Sequence, residues 1–361
     1  MAGAHCIIKT WGLALHPDEE NLKFDETITT ESRSPGFSFD QMVACEECLR
    51  VNPPTRMNCL YCGVALPLNE KSAALRRPTL RRLEEWEKGF NVICLPDETE
   101  DVPSAILTEM ATLLRLDTAL IAEVAKARQP LPLARAATGE EALMILERLR
   151  ALGLQTETIS DEELAVESSP PKRVRKLDLG GEELNLQSAL GGESQAIEWA
   201  EVILFVQGQI FTKQIEVEEQ RARPGAETEI VATRELIADE TMLEIYTAES
   251  DGNWRIVAEG FDYSCLGEHK TLLAKDNFVT LMKRMRALAP AARFDGDYRV
   301  IRHLLDFVWP PSERTESRGL RRERPGKFNT EAAVRVSNEK QFTRYGRLCH
   351  LLERRRLTPS T

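Results

Sequence analysis

Four cysteines occur in two pairs whose spacing suits the binding of a metal ion. Cys45 and Cys48 form one Cys-x-x-Cys pair, Cys59 and Cys62 form the second, and ten residues separate the two pairs. Four thiolates complete the tetrahedral coordination that zinc prefers, with metal–sulfur distances of about 2.3 Å. Because cysteine would occupy every coordination position, no position is left for water, so the predicted ion is structural and not catalytic.

Disulfides and free thiols are the alternative interpretations of these cysteines. The chain is acidic and does not begin with a basic and then apolar signal segment, which favours a reducing compartment where disulfides are rare. Gly63 follows the second pair, where the backbone must turn so that amides can point at sulfur, and Pro53-Pro54 suit the turn between two short strands. The pattern predicts a zinc ribbon that binds one Zn²⁺.

The charge of the chain is unevenly distributed. Its 47 basic and 58 acidic side chains give a net charge of −11, but residues 312–361 carry 13 Lys/Arg against 6 Asp/Glu, or +7. The acidic body repels phosphate, so only the basic tail is electrostatically suited to nucleic acid. No stretch approaches the ~20 apolar residues of a membrane helix. We therefore expect a cytoplasmic protein that has no membrane partner.

A helix near the C-terminus gives the tail a second interpretation. Residues 338–356 place Phe342, Tyr345, Cys349 and Leu352 on one helical stripe, with arginines around it. This pattern predicts an amphipathic helix. We expect it to pack on an acidic surface of its own chain instead of forming a free nucleic-acid-binding arm.

The sequence predicts an α+β multidomain protein, because its composition and periodicity change several times along 361 residues. The linker is predicted from paired prolines, paired glycines and weak periodicity. The predicted segments are an N-terminal strand with an extended lead-in (1–40), the four-cysteine zinc ribbon (41–68), a βααβαβ domain (89–160), a linker (161–195), a strand-rich α+β domain (196–310) and a basic tail with an amphipathic helix (311–361).

The βααβαβ order is read from alternating apolar patterns between residues 90 and 159. A proline well placed in a first helical turn opens the first helix, and a capping box opens the third. The elements are a strand at Phe90–Leu95, a helix from Pro103, a helix from Asp117, a strand at Leu131–Ala134, a helix after Thr138 and a strand at Leu154–Ile159.

Part of this segment is similar to the C-terminal domain of the large-subunit ribosomal stalk protein. The similarity lies in Pro130 and Leu133, followed by Ala137–Ala142 (ATGEEA) and Leu146–Leu154 (LERLRALGL). The opening Asn91–Glu98 (NVICLPDE) resembles the Clp protease adaptor, which shares that fold. The resemblance implies a small platform that binds other proteins. The chain departs from both families, since Leu116–Leu120 lacks the lysines of the stalk helix and Pro96 replaces the adaptor's asparagine.

The region 196–310 shows strands first and helices afterwards, which predicts an antiparallel sheet with helices on one face. Gln207-Gly208 is expected to break the first two strands apart, and Asp251-Gly252-Asn253 is a tight-turn signal. The predicted elements are strands at Glu201–Val206, Gln209–Val217, Thr241–Tyr246 and Trp254–Val257, a helix with Phe278, Leu281, Met282, Met285 and Leu288 on one face, and a helix at Tyr298–Trp309.

Function is predicted from what these elements offer. Cys265 and His269 lie four residues apart, but a nucleophilic thiol also needs an orienting group and a cleft, so a strand end followed by a turn is favoured. We expect a non-enzymatic adaptor or regulatory protein whose partner is another protein. The alternatives are a translation-associated factor that contacts nucleic acid through the basic tail, and an enzyme with a site in residues 196–310. The predicted docking face carries Glu109, Arg115, Lys126 and Arg128.

Overall fold

The computed structural model describes residues 37–67, 75–96, 102–189, 191, 194–221, 229–249, 253–324 and 327–358. Most of the predicted N-terminal segment therefore lies outside the described residues, and its last part contains a 3₁₀ turn at Phe39–Gln41. The predicted turn residues 251 and 252 also lie outside them.

The described elements are helices and strands in several sheets, which confirms the α+β prediction. The helices are α1 (Ser104–Leu114), α2 (Thr118–Ala127), α3 (Gly139–Ala151), α4 (Asp161–Leu164), α5 (Ala274–Leu288), α6 (Tyr298–Ile301) and α7 (Glu339–Leu357). The strands are β1 (Val43–Ala44), β2 (Val51–Asn52), β3 (Phe90–Cys94), β4 (Leu131–Ala136), β5 (Thr156–Ser160), β6 (Lys172–Leu179), β7 (Glu183–Ser188), β8 (Gln195–Glu198), β9 (Val202–Arg221), β10 (Glu229–Thr247), β11 (Asn253–Val257), β12 (Arg293–Asp295), β13 (Ser312–Arg324) and β14 (Lys327–Ser337).

The segment 89–160 has the predicted β-α-α-β-α-β order, and we call it the βααβαβ module. Its sheet order is β4-β3-β5, with β3 antiparallel to both neighbours. Val92 and Ile93 point to opposite faces of β3, yet both are fully buried. The face that carries Asn91 meets the C-terminal part of the chain, because the Trp309 indole N–H donates to the Asn91 side-chain oxygen at 2.8 Å. The module therefore shares its core with later residues.

The linker predicted at 161–195 is wrong, because these residues form α4, β6, β7 and part of β8. Strands β6, β7 and β8 belong to a large sheet with the order β13-β14-β9-β10-β11-β6-β7-β8, and β12 pairs with β9. Val174 and Leu177 are buried at a spacing of three, since the register shifts between Val174 and Lys176. This bulge removes the period of two by which a strand is recognised.

The predicted break at Gly208 is also wrong, because β9 runs without interruption through this residue. A side chain at Gly208 would overlap the ring of Phe342 on α7, so glycine here permits close packing of a helix on the strand. The sheet contains two parallel pairs, β11 with β6 and β12 with β9, and is not purely antiparallel.

Helices cover both faces of the large sheet, and not one face as predicted. Neighbouring residues of β9 point to opposite faces, and Phe205 packs in a cluster with α5 whereas Leu204 packs in a cluster with α7. The continuous apolar run at the start of β9 is typical of a strand that is buried on both sides. Helix α5 buries four of the five residues predicted for its stripe, and Leu288 is partly buried.

The basic tail begins with two strands, β13 and β14, which form an antiparallel pair at the edge of the large sheet. The predicted amphipathic helix is confirmed as α7, which fully buries Phe342, Tyr345 and Cys349 against its own chain. Its C-terminal end meets an acidic group, because Arg355 contacts Glu157 at 2.9 Å.

The helix predicted at Tyr298–Trp309 is shorter than expected: α6 is followed by a 3₁₀ turn at Arg302–Leu304.

A buried charge network lies between the large sheet and α7. Glu244 on β10 is fully buried and accepts hydrogen bonds from Arg255 on β11, including one from Nε at 3.0 Å. Arg255 also donates to Glu339 and Thr343 of α7, both at 2.7 Å. Glu244 accepts a further hydrogen bond from the Tyr246 hydroxyl. The network joins two strands to a helix that is more than eighty residues away in sequence.

Candidate metal centre

The four paired cysteines meet at one point in the structure. The sulfur atoms of Cys45, Cys48, Cys59 and Cys62 all lie within 4.8 Å of one another. Two sulfur–sulfur distances, Cys45 to Cys62 and Cys48 to Cys59, are 3.5 Å. A tetrahedron with metal–sulfur distances of about 2.3 Å requires sulfur–sulfur distances of about 3.8 Å. The four thiols can therefore hold a metal ion.

The two cysteine pairs lie in turns with the same backbone hydrogen bonds. In the first turn, Cys45 N–H donates to Arg50 at 2.9 Å and Leu49 N–H donates back to Cys45 at 2.9 Å. In the second turn, Cys59 N–H donates to the Val64 carbonyl at 2.8 Å and Gly63 N–H donates to Cys59 at 3.0 Å. Equivalent positions have left-handed backbones, with φ of 57° at Leu49 and 77° at Gly63. The ribbon is thus a pair of matched half-sites.

The strands of the ribbon lie elsewhere than predicted. Strands β1 and β2 pair across the first cysteine turn, with Val43 opposite Asn52. Across the second turn, Asn58 forms an isolated bridge with Ala65. Pro53-Pro54 therefore connect the two half-sites and do not join the two paired strands. Each cysteine turn therefore forms its own small hairpin, with its two thiols in the turn.

Asn52 links the two half-sites, and the sequence analysis missed it. Its side chain is fully buried, and its amide nitrogen donates to the Arg50 carbonyl at 2.9 Å and to the Cys59 sulfur at 3.4 Å. Its side-chain oxygen accepts from the Leu60 N–H at 2.8 Å. A polar residue at the end of a strand, directly before Pro53-Pro54, is the sequence signal that could have indicated this role. Groups of this kind orient metal ligands and tune their charge.

Hydrogen bonds to sulfur favour a thiolate at Cys59. Burial opposes ionisation of this thiol, but the N–H groups of Cys62 and Tyr61 and the Asn52 amide outweigh burial and lower the pKa of Cys59 to about 6. At Cys62 the N–H of Val64 lowers the pKa, but burial and the neighbouring thiols together raise it to about 12. Of these two thiols Cys59 is therefore the one that ionises more readily, and a bound cation would also release the proton of Cys62.

A buried arginine attaches the ribbon to the rest of the chain. Arg76 is 1% exposed, and its guanidinium donates to the carbonyls of Leu66 at 3.0 Å and Pro67 at 2.5 Å. The Arg76 carbonyl in turn accepts a hydrogen bond from Arg148 of α3. These contacts fix the end of the ribbon against the βααβαβ module. No sequence signal indicates them, since Arg76 lies in a charged connector typical of solvent-exposed residues.

Cys265 and His269 do not form a catalytic pair in the structure. Both lie in a 3₁₀ segment, Tyr263–His269, that is interrupted by a non-helical Gly267. Cys265 is half-buried, and burial raises its pKa to about 11, which disfavours a nucleophilic thiolate. The His269 ring is exposed. Cys94 and Cys349 are partly and fully buried, as expected for inert thiols, and burial raises the pKa of both.

Comparisons with known proteins give no relative: no family model, curated protein or solved structure matches the chain. Within the described residues, no helix has both the length and the hydropathy of a membrane span. The similarity to the ribosomal stalk domain and the Clp adaptor therefore stays a prediction from the sequence.

Proposed function

We propose that this protein is a non-enzymatic adaptor that binds other proteins, and that a structural zinc ion stabilises its ribbon. The zinc assignment is supported by four cysteine ligands within 4.8 Å, the donor set that zinc binds in closed, tetrahedral structural sites. Cys45 and Cys59 are buried, and hydrogen bonds from Asn52 and the backbone already point at sulfur. The ion would hold the fold and leave no position at which water could react.

A groove in the βααβαβ module carries the adaptor proposal. It has a volume of about 420 Å³ and lies among α1, α2 and the end of β3. Most of its described lining residues are apolar, among them Leu95, Val102, Ile106, Leu107, Met110, Val124 and Leu154. Since Ile106 and Leu107 remain only half-buried, the groove offers apolar surface that a bound peptide segment would cover.

Two of the four charged residues predicted for the docking face lie at the edge of this groove. Glu109, Arg115, Lys126 and Arg128 are all exposed, as expected from the helical stripes, and Lys126 and Arg128 line the groove. Arg115 lies outside the groove lining and donates to the Pro78 carbonyl at 3.1 Å. We therefore place the proposed docking face at the groove and leave out Arg115. Lys126 at the edge of the apolar lining suits a partner segment with apolar residues and an acidic residue.

The basic tail gives less support to the nucleic-acid alternative. Arg355 contacts Glu157 and Glu163 of its own chain at 2.9 and 3.2 Å, and Lys340 contacts Glu167 at 2.8 Å. Cations that are already paired with carboxylates release less counterion when phosphate binds, so they contribute little to affinity. Helix α7 of the tail is therefore better understood as a helix that docks on acidic groups of its own chain.

A matched pair of variants tests the adaptor proposal. Ile106→Glu puts a charge into the groove, whereas Leu143→Glu puts the same charge at a residue that is 52% exposed and lies outside the groove lining. We expect proteins captured from native lysate by the wild type to be retained by Leu143→Glu and to be lost on Ile106→Glu. Quantitative mass spectrometry measures this, and thermal unfolding checks that both variants fold. An identical set of captured proteins for all three chains would contradict the groove as the docking site.

A further inference from the structure

A second cleft lies between the ribbon and the βααβαβ module, and its charged lining is dominated by arginine. The cleft has a volume of about 470 Å³. The ribbon contributes Arg56, the connecting segment contributes Arg77 and Arg81, and the end of α1 contributes Arg115. In a chain of net charge −11, four guanidinium groups gathered in one cleft oppose the general charge of the molecule. Their mutual repulsion raises the free energy of the protein unless an anion joins them.

The described residues of the cleft provide little neutralising charge. Glu141 is the one carboxylate among the described lining residues, and its Oε1 already accepts from the N–H groups of Thr79 and Leu80 at 2.5 and 2.9 Å. Arg81 is paired with Glu87 at 2.6 Å. The guanidinium groups of Arg56 and Arg77 form no hydrogen bond or ion pair with a described residue. Two cations of the cleft are therefore available to a ligand.

More positive charge lies directly behind this lining. Arg76, which is 1% exposed, uses its guanidinium on main-chain carbonyls, and burial lowers its pKa. Burial and the positive charge of Arg77 likewise lower the pKa of Arg148. Positive charge therefore continues from Arg77, which lines the cleft, to the neighbouring Arg76 and to Arg148.

Fixed hydrogen-bond donors also surround the cleft. Arg115 donates to the carbonyls of Pro78 at 3.1 Å and Thr79 at 3.2 Å, which orients its guanidinium and leaves three of its five N–H donors free for a ligand. Thr138, which lines the cleft, caps the N-terminus of α3 through Glu141 N–H at 3.2 Å. The positive end of this thirteen-residue helix adds to the arginine charge.

A comparison with another cleft shows that basic lining residues alone do not make an anion-binding site, because carboxylates can balance their charge. The cleft beside the exposed Trp86 is larger, about 890 Å³, and is also lined by basic residues. Its lining includes five carboxylates against five basic side chains, so its charges balance. Arg135 there forms an ion pair with Asp161 at 2.6 Å. The cleft at the ribbon is different because its cations greatly exceed its carboxylates.

The geometry points to a binding site for a small molecule that carries a diphosphate group. The site is the cleft between the ribbon and the βααβαβ module, where Arg56, Arg77 and Arg115 would bind the phosphates. One guanidinium group can donate two parallel hydrogen bonds to the oxygens of a phosphate, and a diphosphate supplies several negative charges within a small volume. A volume of about 470 Å³ accommodates pyrophosphate or a mononucleotide. Because the arginines come from the ribbon, the connecting segment and α1, a bound ligand would also hold these parts together.

Isothermal titration of the full-length, zinc-loaded chain with inorganic pyrophosphate at 150 mM salt tests this site. We expect saturable binding, and we expect Arg56→Gln and Arg77→Gln each to weaken it about tenfold, since each removes a charge-assisted contact. Arg82→Gln is the matched control, because Arg82 is exposed, lies five residues from Arg77 and does not line the cleft. Its affinity should equal that of the wild type.

Further titrations identify the source of the phosphates. Equal affinity for pyrophosphate and ADP would show that the diphosphate group alone is recognised, and tighter binding of ADP would identify a nucleotide. No saturable binding of either ligand, or equal weakening by Arg77→Gln and Arg82→Gln, would overturn the proposal. Single-stranded RNA that binds through Arg77 while pyrophosphate does not would also overturn it, and would make the arginines part of a nucleic-acid surface.

Discussion

The ribbon and the charge network beneath α7 both depend on buried polar groups, but they are assembled in opposite ways. The four thiols of the ribbon lie within eighteen consecutive residues, and two local turns bring them together. The network joins Glu244 and Arg255 on adjacent strands to Glu339 and Thr343 on a helix far along the chain. The four thiols of the ribbon could hold a metal ion, whereas the network is completed by side chains of both charges.

This difference explains why the cysteine ligands could be predicted from the sequence and the charge network could not. A metal site made from two local turns leaves a spacing that can be read directly, Cys-x-x-Cys twice. A network that forms only when β10, β11 and α7 pack together leaves no spacing. We expect the two regions to respond independently to substitutions, because they share no residue.

The largest expected effect is the loss of the ribbon. Cys45→Ser removes a buried ligand, and because structural zinc binding supplies roughly 10–16 kcal/mol in small zinc domains, we expect the ribbon to unfold and the zinc content to fall from about one ion per chain to near zero. The large sheet should remain folded. Metal analysis and circular dichroism of the purified variant measure both results. A variant that keeps its zinc would show that four cysteines are not required.

The next effect concerns the network. Arg255→Met leaves Glu244 buried without its cation, which we expect to cost about 3–5 kcal/mol of the free energy of unfolding. Urea unfolding of the main body measures this loss, and zinc content should stay unchanged. The double variant Glu244→Leu with Arg255→Met removes both charges and should recover much of the stability. If the double variant is as unstable as the single one, the pairing of charge is not what holds α7.

The same difference between local patterns and distant contacts separates the parts of the fold that could be predicted from those that could not. The β-α-α-β-α-β order, α5 and α7 were predictable because each has a strong apolar period or a cap. Strand β6 was predicted as linker because a bulge breaks its period, and Gly208 was predicted as a break because its partner, Phe342, lies 134 residues away. At the candidate site the four ligands were predictable from spacing, but Asn52 was not, since only the folded turns show that its side chain spans both half-sites.

Asn52 provides a smaller effect within the ribbon. Asn52→Ala removes the hydrogen bonds to the Cys59 sulfur, the Arg50 carbonyl and the Leu60 N–H. Loss of such a group typically weakens metal affinity about 10- to 100-fold. Competition with a colorimetric zinc chelator measures the change. Asn58→Ala is the control, since Asn58 is exposed and donates to the Gly63 carbonyl without touching sulfur. Equal zinc affinity for both variants would argue against a linking role for Asn52.

The smallest expected effect is a change in the rate of zinc release, and it depends on the similar backbone conformation of Leu49 and Gly63 in the two half-sites. Leu49 is 79% exposed with a left-handed backbone, so Leu49→Gly should relieve strain and slow zinc release by an amount equivalent to about 1 kcal/mol. Gly63 has a similar backbone and open space around it, so Gly63→Ala should do the opposite by a similar amount. Effects of the same sign would show that the half-sites are not equivalent.

Hydrogen exchange with and without a strong chelator tests most directly whether a metal ion stabilises the ribbon but not the rest of the chain. In the metal-loaded chain we expect protected amides at Cys45, Leu49, Cys59 and Gly63, whose N–H groups close the two turns. After chelation we expect protection to be lost across residues 43–66 and to persist in β9, β10 and α7. Unchanged protection in the ribbon after complete removal of the metal would contradict this view, as would a loss of protection that spreads through the large sheet.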